Sequence, residues 1–178
     1  FTDVREADWF YDDVVYAYEN GLFSGTSDTT FSPNASMTRE EMLRAVYEYV
    51  RDHYLYLKRS LYEVGETGWE IPEALLMFQS GKGNCYNFTA AFWSLARGIG
   101  FDAVCYSGLV GVGRDPHSWV EITFDGVPYV FDVETEMSYR LVNDYITSMY
   151  WKTYEEVAAW SYVRTPEEAA ATAPETAG

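Results

Sequence analysis

The sequence predicts an α+β fold with a helical hairpin at the N terminus, and three observations support this prediction. The first 50 residues hold two stretches of helical periodicity separated by a turn-rich segment. A further helix starts at Cys85 and is closed by Gly98. Two apolar strands then flank Asp125-Gly126, a dipeptide that favours the two-residue turn of a β-hairpin. Helices followed by paired strands in this order are typical of the α+β class.

The composition indicates a folded, acidic protein. Of the 178 residues, 48% are hydrophobic and 18% are aromatic, which is too apolar for a disordered chain. The formal net charge of −16 repels nucleic-acid phosphates and anionic membrane surfaces. We therefore expect no nucleic-acid partner, and substrates that are neutral or basic. No stretch of the sequence has the uninterrupted apolar length that a membrane span needs, so no span is expected.

The first predicted unit covers residues 1–50. Its first helix stops at Asn20-Gly21, because glycine tolerates the left-handed conformation that commonly follows a helix. Thr38 and Glu41 have the spacing of a capping box, which predicts a second helix that starts near Thr38. The apolar stripe of this helix continues far enough to predict that it extends to about residue 58.

The remaining residues predict a larger domain and a tail. The predicted elements of the larger domain are a short helix at 72–79, a helix at 85–97, and strands at 101–112, 117–124 and 127–133. Residues 139–163 are rich in aromatic residues, and their apolar positions match neither the helical nor the strand periodicity clearly. Residues 165–178 are of low complexity and predict a disordered tail or linker. The predicted domains are thus 1–50, 51–164 and 165–178.

The hairpin places a histidine beside a carboxylate. If Asp125-Gly126 forms the loop, Phe124 pairs with Val127, and His117 then lies on the same face of the sheet as Asp132. The two are diagonal neighbours, within reach of a side-chain hydrogen bond. The opposite face is almost wholly apolar, so a one-residue slip would expose it, and the register is well determined. Glu134, directly opposite His117 in this pairing, is a rival partner for the imidazole.

Cys85 is a candidate nucleophile because of its place at a helix start. It follows Gly81-Lys82-Gly83-Asn84, and the first turn of a helix carries unpaired N–H groups and a partial positive charge. Both favour a thiolate, which is the nucleophilic form of cysteine. The same N–H groups can hold an oxyanion, and the glycines let a substrate approach the backbone closely.

Several alternatives compete with this interpretation. A free cysteine is more often a small buried hydrophobic residue than a nucleophile, and Cys105, in the middle of a strand, is assigned to the core. A Cys85–Cys105 bridge would abolish the thiol. His53 lies inside the predicted second helix and is expected at the surface. Zinc ligation by Cys85, His117 and Asp132 lacks paired Cys or His spacing, so no metal and no cofactor is expected.

The segment GNCYNFTAAFWSLARGIGFDA (83–103) resembles the nucleophile helix of transglutaminase-like proteins. HSWVEI (117–122) is similar to the H-x-W-x-E strand of that family, and Phe131-Asp132 to its aspartate. The resemblance covers roughly residues 45–160. It implies a papain-like core in which the nucleophile helix packs on an antiparallel sheet. It also implies that Cys85 is the nucleophile, His117 the base and Asp132 the group that orients the base.

The N-terminal residues resemble an S-layer homology (SLH) motif. The similar residues are F-x-D-V (1–4), Trp9, E-N-G-L (19–22), Gly25, F-S-P (31–33) and M-T-R-E-E (37–41). This resemblance implies a bacterial cell-surface setting and a cell-wall polysaccharide as partner, with Trp9, Thr38 and Arg39 as the candidate binding residues. The chain begins with Phe1 rather than Met, so we interpret it as a mature form or a fragment, whose missing signal peptide says nothing about location.

The joint prediction is an extracellular, cysteine-dependent acyl transfer at amide bonds of a protein or peptide. Water as acceptor gives a peptidase or amidase, which is the preferred outcome, and a lysine amine gives cross-linking. Gly83, Asn84 and Trp119 are placed in the neighbourhood of the substrate and its oxyanion. The alternative is a non-catalytic binding or scaffold module associated with the cell wall.

Overall fold

The computed structural model describes residues 1–19, 25–142 and 148–172. The chain divides into two compact units, residues 1–49 and residues 50–178. The first unit holds helix α1 (Tyr11–Glu19) and most of helix α2 (Arg39–His53). The capping box at the start of α2 is confirmed, since Glu41 N–H donates to the Thr38 hydroxyl and Thr38 N–H to the Glu41 carboxylate. The predicted helix stop at Asn20-Gly21 lies outside the described residues.

Helix α2 ends at His53, five residues before the predicted end near residue 58. The chain instead forms a two-residue strand, β1 (Leu55–Tyr56), which pairs in parallel with β2 (Lys82–Gly83). Leu57 continues the contact by donating its N–H to the Gly83 carbonyl over 2.8 Å. Backbone pairing with a distant segment therefore ends the helix although the apolar stripe continues.

The second unit is an antiparallel sheet with helices, so the predicted α+β class is confirmed. The sheet has the order β3-β4-β5-β6, and every neighbouring pair in it is antiparallel. Helix α4 packs against β3 and β4 on one side of the sheet. The elements after β2 are α4 (Cys85–Gly98), β3 (Ala103–Val110), β4 (Asp115–Phe124), β5 (Val127–Phe131), α5 (Val133–Val142), β6 (Lys152–Thr153), a 3-10 turn (Ala158–Trp160) and α6 (Pro166–Ala171), and α3 (Glu70–Ser80) precedes β2.

The predicted hairpin register is confirmed. Phe124 pairs with Val127 across the loop, and Asp125 and Gly126 both have positive φ, at 50° and 78°, as the twist of a two-residue hairpin requires. The predicted length of the second strand is wrong, because β5 ends at Phe131 and α5 begins at Val133. Asp132 causes this change of structure, since its carboxylate accepts the N–H of Thr135 and caps the new helix.

Both faces of the hairpin are covered, although one was predicted to be more polar. Trp119 and Val130 on that face have no exposed surface. The segment whose structure the sequence left ambiguous, 139–163, supplies the cover. Its packing residues include Met149, Tyr154, Val157, Trp160 and Tyr162.

The segment predicted as a disordered tail contains helix α6. Thr165 caps this helix through its hydroxyl, and Arg164 pairs with Glu168 over 2.9 Å. Arg114 also donates to the Ala169 carbonyl, which ties the helix to the end of the β3–β4 hairpin. Low complexity therefore did not prevent local order, because Pro166 and the acidic first turn suit a helix start. Within the described residues, no helix is both long enough and apolar enough to cross a membrane.

Candidate active site

Cys85 is the first residue of α4, and a reciprocal cap places it there. The Asn84 side chain accepts the N–H of Tyr86, while the Asn87 side chain accepts the N–H of Asn84 over 3.0 Å. Gly83 is required beside this cap, because a Cβ at that position would come within 2.2 Å of the Asn87 side chain. Gly83 and Asn84 are both buried and serve to set the start of the helix.

The cap leaves one backbone N–H group of the first helical turn unused. The Asn84 N–H is occupied by Asn87, and the Tyr86 N–H by Asn84. For the Cys85 N–H, no acceptor occurs among the described residues. Helix starts leave such N–H groups available to an anion or to a developing negative charge. The backbone N–H of Cys85 is therefore a candidate oxyanion donor, within the neighbourhood of Gly83 and Asn84 that the sequence predicts.

The structure brings Cys85, His117 and Asp132 together. His117 Nε2 lies 2.8 Å from Asp132 Oδ2, and the Cys85 thiol is close enough to the imidazole to raise its pKa. Because Nε2 faces the carboxylate, Nδ1 is the nitrogen left for the thiol. All three side chains are buried, with 5% of Cys85, 6% of His117 and 1% of Asp132 exposed. Three side chains from α4, β4 and the β5–α5 junction thus form one connected chain of polar contacts.

Two residues absent from the sequence prediction hold Asp132 in place. The Tyr162 hydroxyl donates to Asp132 Oδ2 over 2.6 Å, and the Thr135 N–H donates to Oδ1 over 3.0 Å. The Thr135 hydroxyl also lies 3.3 Å from His117 Nε2. Thr135 follows Asp132 at capping spacing, a signal the sequence does carry. Tyr162 comes from a distant stretch of irregular structure and has no local signal.

The electrostatics favour a charged His117–Asp132 pair. Burial alone would lower the pKa of His117, but the charge and hydrogen bond of Asp132, with the hydrogen bond of Cys85, raise it well above 6.5. Burial alone would raise the pKa of Asp132, but His117, Tyr162 and the Thr135 N–H together lower it below 3.8. These contributions favour the imidazolium form of His117, which is the partner that a thiolate requires.

Trp119 lies inside the core, next to the imidazole. Its ring is fully buried, and its indole N–H donates to the Tyr154 hydroxyl over 3.0 Å. The ring stacks near the imidazole of His117, with 6.5 Å between ring centroids and an interplanar angle of 17°. Trp119 therefore supports the imidazole from within the core, and its place in the substrate neighbourhood stays a prediction.

The two cysteines are both free, so the alternative of a Cys85–Cys105 bridge is not realised. Cys105 packs against the same apolar cluster as Cys85, and burial raises the pKa of its thiol well above 9.0. That environment suits the core role predicted for Cys105. Across residues 1–19, 25–142 and 148–172, no group of three or more His, Cys, Asp or Glu side chains is arranged to hold a metal ion.

The candidate polysaccharide residues lie in the first unit. The Trp9 side chain is 89% exposed, and its ring meets Phe10 edge-on. Thr38 uses its hydroxyl and its N–H for the cap of α2, and Arg39 is the first residue of that helix. A role for these residues in binding polysaccharide remains a prediction.

Cys85, His117 and Asp132 thus lie together on the α+β fold of the second unit, and sequence comparison identifies the family. Residues 26–132, more than half of the chain, match the transglutaminase-like superfamily. The chain belongs to the transglutaminase-like superfamily. Two solved structures are similar in part, a candidate cysteine protease from Cytophaga hutchinsonii and a TGase. Their sequence identities are 17% and 13%, their TM-scores are 0.43 and 0.42, and they cover 69% and 94% of this chain.

The N-terminal residues match a second family. Residues 1–43 match the S-layer homology domain. A surface-layer 125 kDa protein of Lysinibacillus sphaericus is 40% identical over 48 residues, which are 27% of this chain. The chain spans only 4% of the length of that protein, and 37% and 48% of the two solved structures.

Proposed function

We propose that this protein catalyses acyl transfer at amide bonds, with Cys85 as nucleophile, His117 as general acid and base, and Asp132 as the group that orients the imidazole. One observation carries the proposal: Cys85, at a helix N terminus, lies close enough to the His117 imidazole to raise its pKa, and the same imidazole is paired with the Asp132 carboxylate over 2.8 Å. An ordinary core cysteine needs no charged histidine beside it, and Cys105 has none.

The first half-reaction follows from this arrangement. The Cys85 thiolate attacks the carbonyl carbon of the amide, and the oxygen becomes an oxyanion that accepts the free Cys85 N–H. The carbon–nitrogen bond then breaks, and the His117 imidazolium donates its Nδ1 proton to the leaving amine. A thioester on Cys85 and a neutral imidazole remain. Asp132 and Tyr162 hold the ring in one orientation throughout.

The second half-reaction decides the product. We propose hydrolysis: His117 Nδ1 accepts a proton from water, the hydroxyl attacks the thioester, and the thiol leaves with regeneration of the ion pair. A protein or peptide is the proposed substrate, and the product is then a carboxylic acid. A primary amine in place of water gives a new amide and cross-links two chains through the same residues.

Mass spectrometry tests the proposal directly. The full chain is mixed with a panel of cell-wall peptides and glutamine-containing proteins, quenched in acid and digested. We expect an acyl adduct on the peptide that contains Cys85, and none on the peptide that contains Cys105, whose thiol is an internal control. Adducts in equal amount on both cysteines, or on neither with any member of the panel, would leave the non-catalytic binding module as the better explanation.

For the first unit, we propose attachment to the bacterial cell surface through wall polysaccharide, which places the enzyme outside the cell. Support comes from the S-layer homology match over residues 1–43 and from the exposed indole of Trp9. Exposed aromatic rings are effective contacts for partners because they bury a large area with little loss of side-chain entropy.

Sedimentation with wall fragments tests this attachment. We expect the full chain to pellet with fragments that retain their polysaccharide and to remain soluble with stripped fragments. A Trp9→Ala variant should bind about tenfold more weakly, as for a typical aromatic contact. Val112→Ala, a change at a side chain that is 97% exposed in the second unit, is the matched control. If the wild-type chain stays in the supernatant with both kinds of fragment, the attachment proposal is wrong.

A further inference from the structure

A second carboxylate lies on the thiol side of the imidazole. Glu134 Oε2 is 4.0 Å from His117 Nδ1, the nitrogen that is not occupied by Asp132. The Glu134 side chain is only 13% exposed. Glu134 has no role in the proposed acyl transfer. The sequence predicted Glu134 as a rival of Asp132 for the imidazole, but it approaches the other nitrogen, from helix α5.

The position of Glu134 is set by its helix. The Ser138 hydroxyl, one turn further along α5, donates to Glu134 Oε1. The second carboxylate oxygen, Oε2, is the one that faces His117. Tyr56 also lies near the site: it pairs with Gly83, two residues before Cys85, and burial together with the charge of Glu134 raises the pKa of its hydroxyl. The titratable groups that face the imidazole or its carboxylates from all sides are Tyr56, Cys85, Tyr86, Asp132, Glu134 and Tyr162.

We infer that Glu134 is a positioning residue that sets the pH range of the site, because its charge acts on both members of the Cys85–His117 pair. The inference rests on the proposed function for its effect on turnover. An anion beside Nδ1 stabilises the imidazolium. The same anion repels a thiolate that forms next to that nitrogen. Ionised Glu134 therefore delays loss of the histidine proton and also delays ionisation of the thiol as pH rises.

Glu134 itself titrates in an unusual range. Burial raises the pKa of its carboxyl above 4.5, against the opposing charge of His117 and the hydrogen bond of Ser138. As pH rises through this raised value, Glu134 gains its charge. Below that value the carboxyl is neutral, its repulsion of the thiolate is absent, and the imidazolium is held by Asp132 alone. The site thus changes its electrostatics within the acidic range without any change in Cys85 or Asp132.

The test is the variant Glu134→Gln, which keeps the shape of the side chain and an acceptor for Ser138. Two titrations are compared with the wild type: the imidazole of His117 by NMR, in a His53→Gln background that leaves one histidine, and the rate of Cys85 alkylation against pH. We expect both curves to move to lower pH by about one unit, which is the scale of a single charge at this distance with partial screening. Asp102→Asn removes the same charge from a side chain that is 98% exposed and should move neither curve.

A titration of the wild-type protein tests the inference if the Glu134→Gln variant fails to fold. The His117 signals of the unmodified protein should show an additional step above pH 4.5, as Glu134 ionises. A wild-type titration without that step, or a folded Glu134→Gln variant whose two curves coincide with the wild type, overturns the inference. Neither readout needs turnover, so an inactive protein with shifted curves would refute the proposed reaction and leave the role of Glu134 intact.

Discussion

Replacement of Cys85 by alanine should abolish the amide chemistry, with a loss of about 10³-fold or more in kcat/KM. The reason is that Cys85 supplies the nucleophilic atom beside His117, and that its backbone N–H has no acceptor among the described residues. The fold should survive, because Cys85 is small and alanine removes only its sulfur from the start of α4. The measurement is the rate of amide cleavage on any substrate that forms the Cys85 adduct, together with the melting temperature.

Cys105→Ala is the matched control for this loss. It removes the same atom from a thiol whose pKa burial raises well above 9.0, which disfavours the thiolate. We expect this variant to keep at least about half of the wild-type rate, since only local packing in β3 changes. Equal rates for Cys85→Ala and the wild type would refute a cysteine nucleophile, and equal losses in both variants would point to a defect of packing.

Arg51→Ala should lower the free energy of unfolding by about 3–5 kcal/mol, which corresponds to a fall of about 10 °C or more in Tm. Arg51 Nη1 lies 2.8 Å from Glu136 Oε1, and the two side chains are only 7% and 2% exposed. Glu136 Oε2 also accepts the Met149 N–H over 2.8 Å, so the carboxylate links α2, α5 and the segment that covers the sheet. Without Arg51, this buried negative charge loses its 2.8 Å partner, and Arg140 Nε is more distant, at 3.7 Å.

Chemical denaturation with two further variants checks this cause. The double variant Arg51→Met/Glu136→Gln removes both charges and preserves an acceptor for the Met149 N–H. It should therefore have a clearly higher free energy of unfolding than the single variant Arg51→Ala. Lys152→Ala breaks a surface pair with Glu156, whose side chains are 32% and 50% exposed, and should cost less than about 1 kcal/mol. If Arg51→Ala costs no more than Lys152→Ala, the buried pair does not stabilise the fold.

Local sequence patterns were sufficient for the hairpin and for the start of the nucleophile helix. Alternation along residues 117–124 and the Asp125-Gly126 turn determine the register, and that register brings His117 toward Asp132. The capping pattern around Cys85 and the spacing of Thr38 with Glu41 are similarly local. Each of these features depends on residues within a few positions of one another, so tertiary structure has little opportunity to override them.

The features that sequence reasoning missed depend on residues far apart in the chain. Tyr162 lies 30 residues from the carboxylate it contacts, in a stretch without strand or helix periodicity. The face of the hairpin that carries Trp119 is predicted to be the more polar one, yet side chains from residues 149–162 pack on it and bury the Trp119 ring. The start of helix α5 is missed for a different reason. Its first residue, Val133, continues the alternation of β5, so the sequence pattern predicts strand at this position.

Asp132 connects the chemistry of the site to the integrity of α5. One of its oxygens caps that helix at Thr135, and the other holds His117 and Tyr162. Fraying of the first turn of α5 would thus release the imidazole at the same moment, and rotation of the imidazole would uncap the helix. Hydrogen exchange at the start of α5 and reactivity at Cys85 should therefore rise and fall as one cooperative unit.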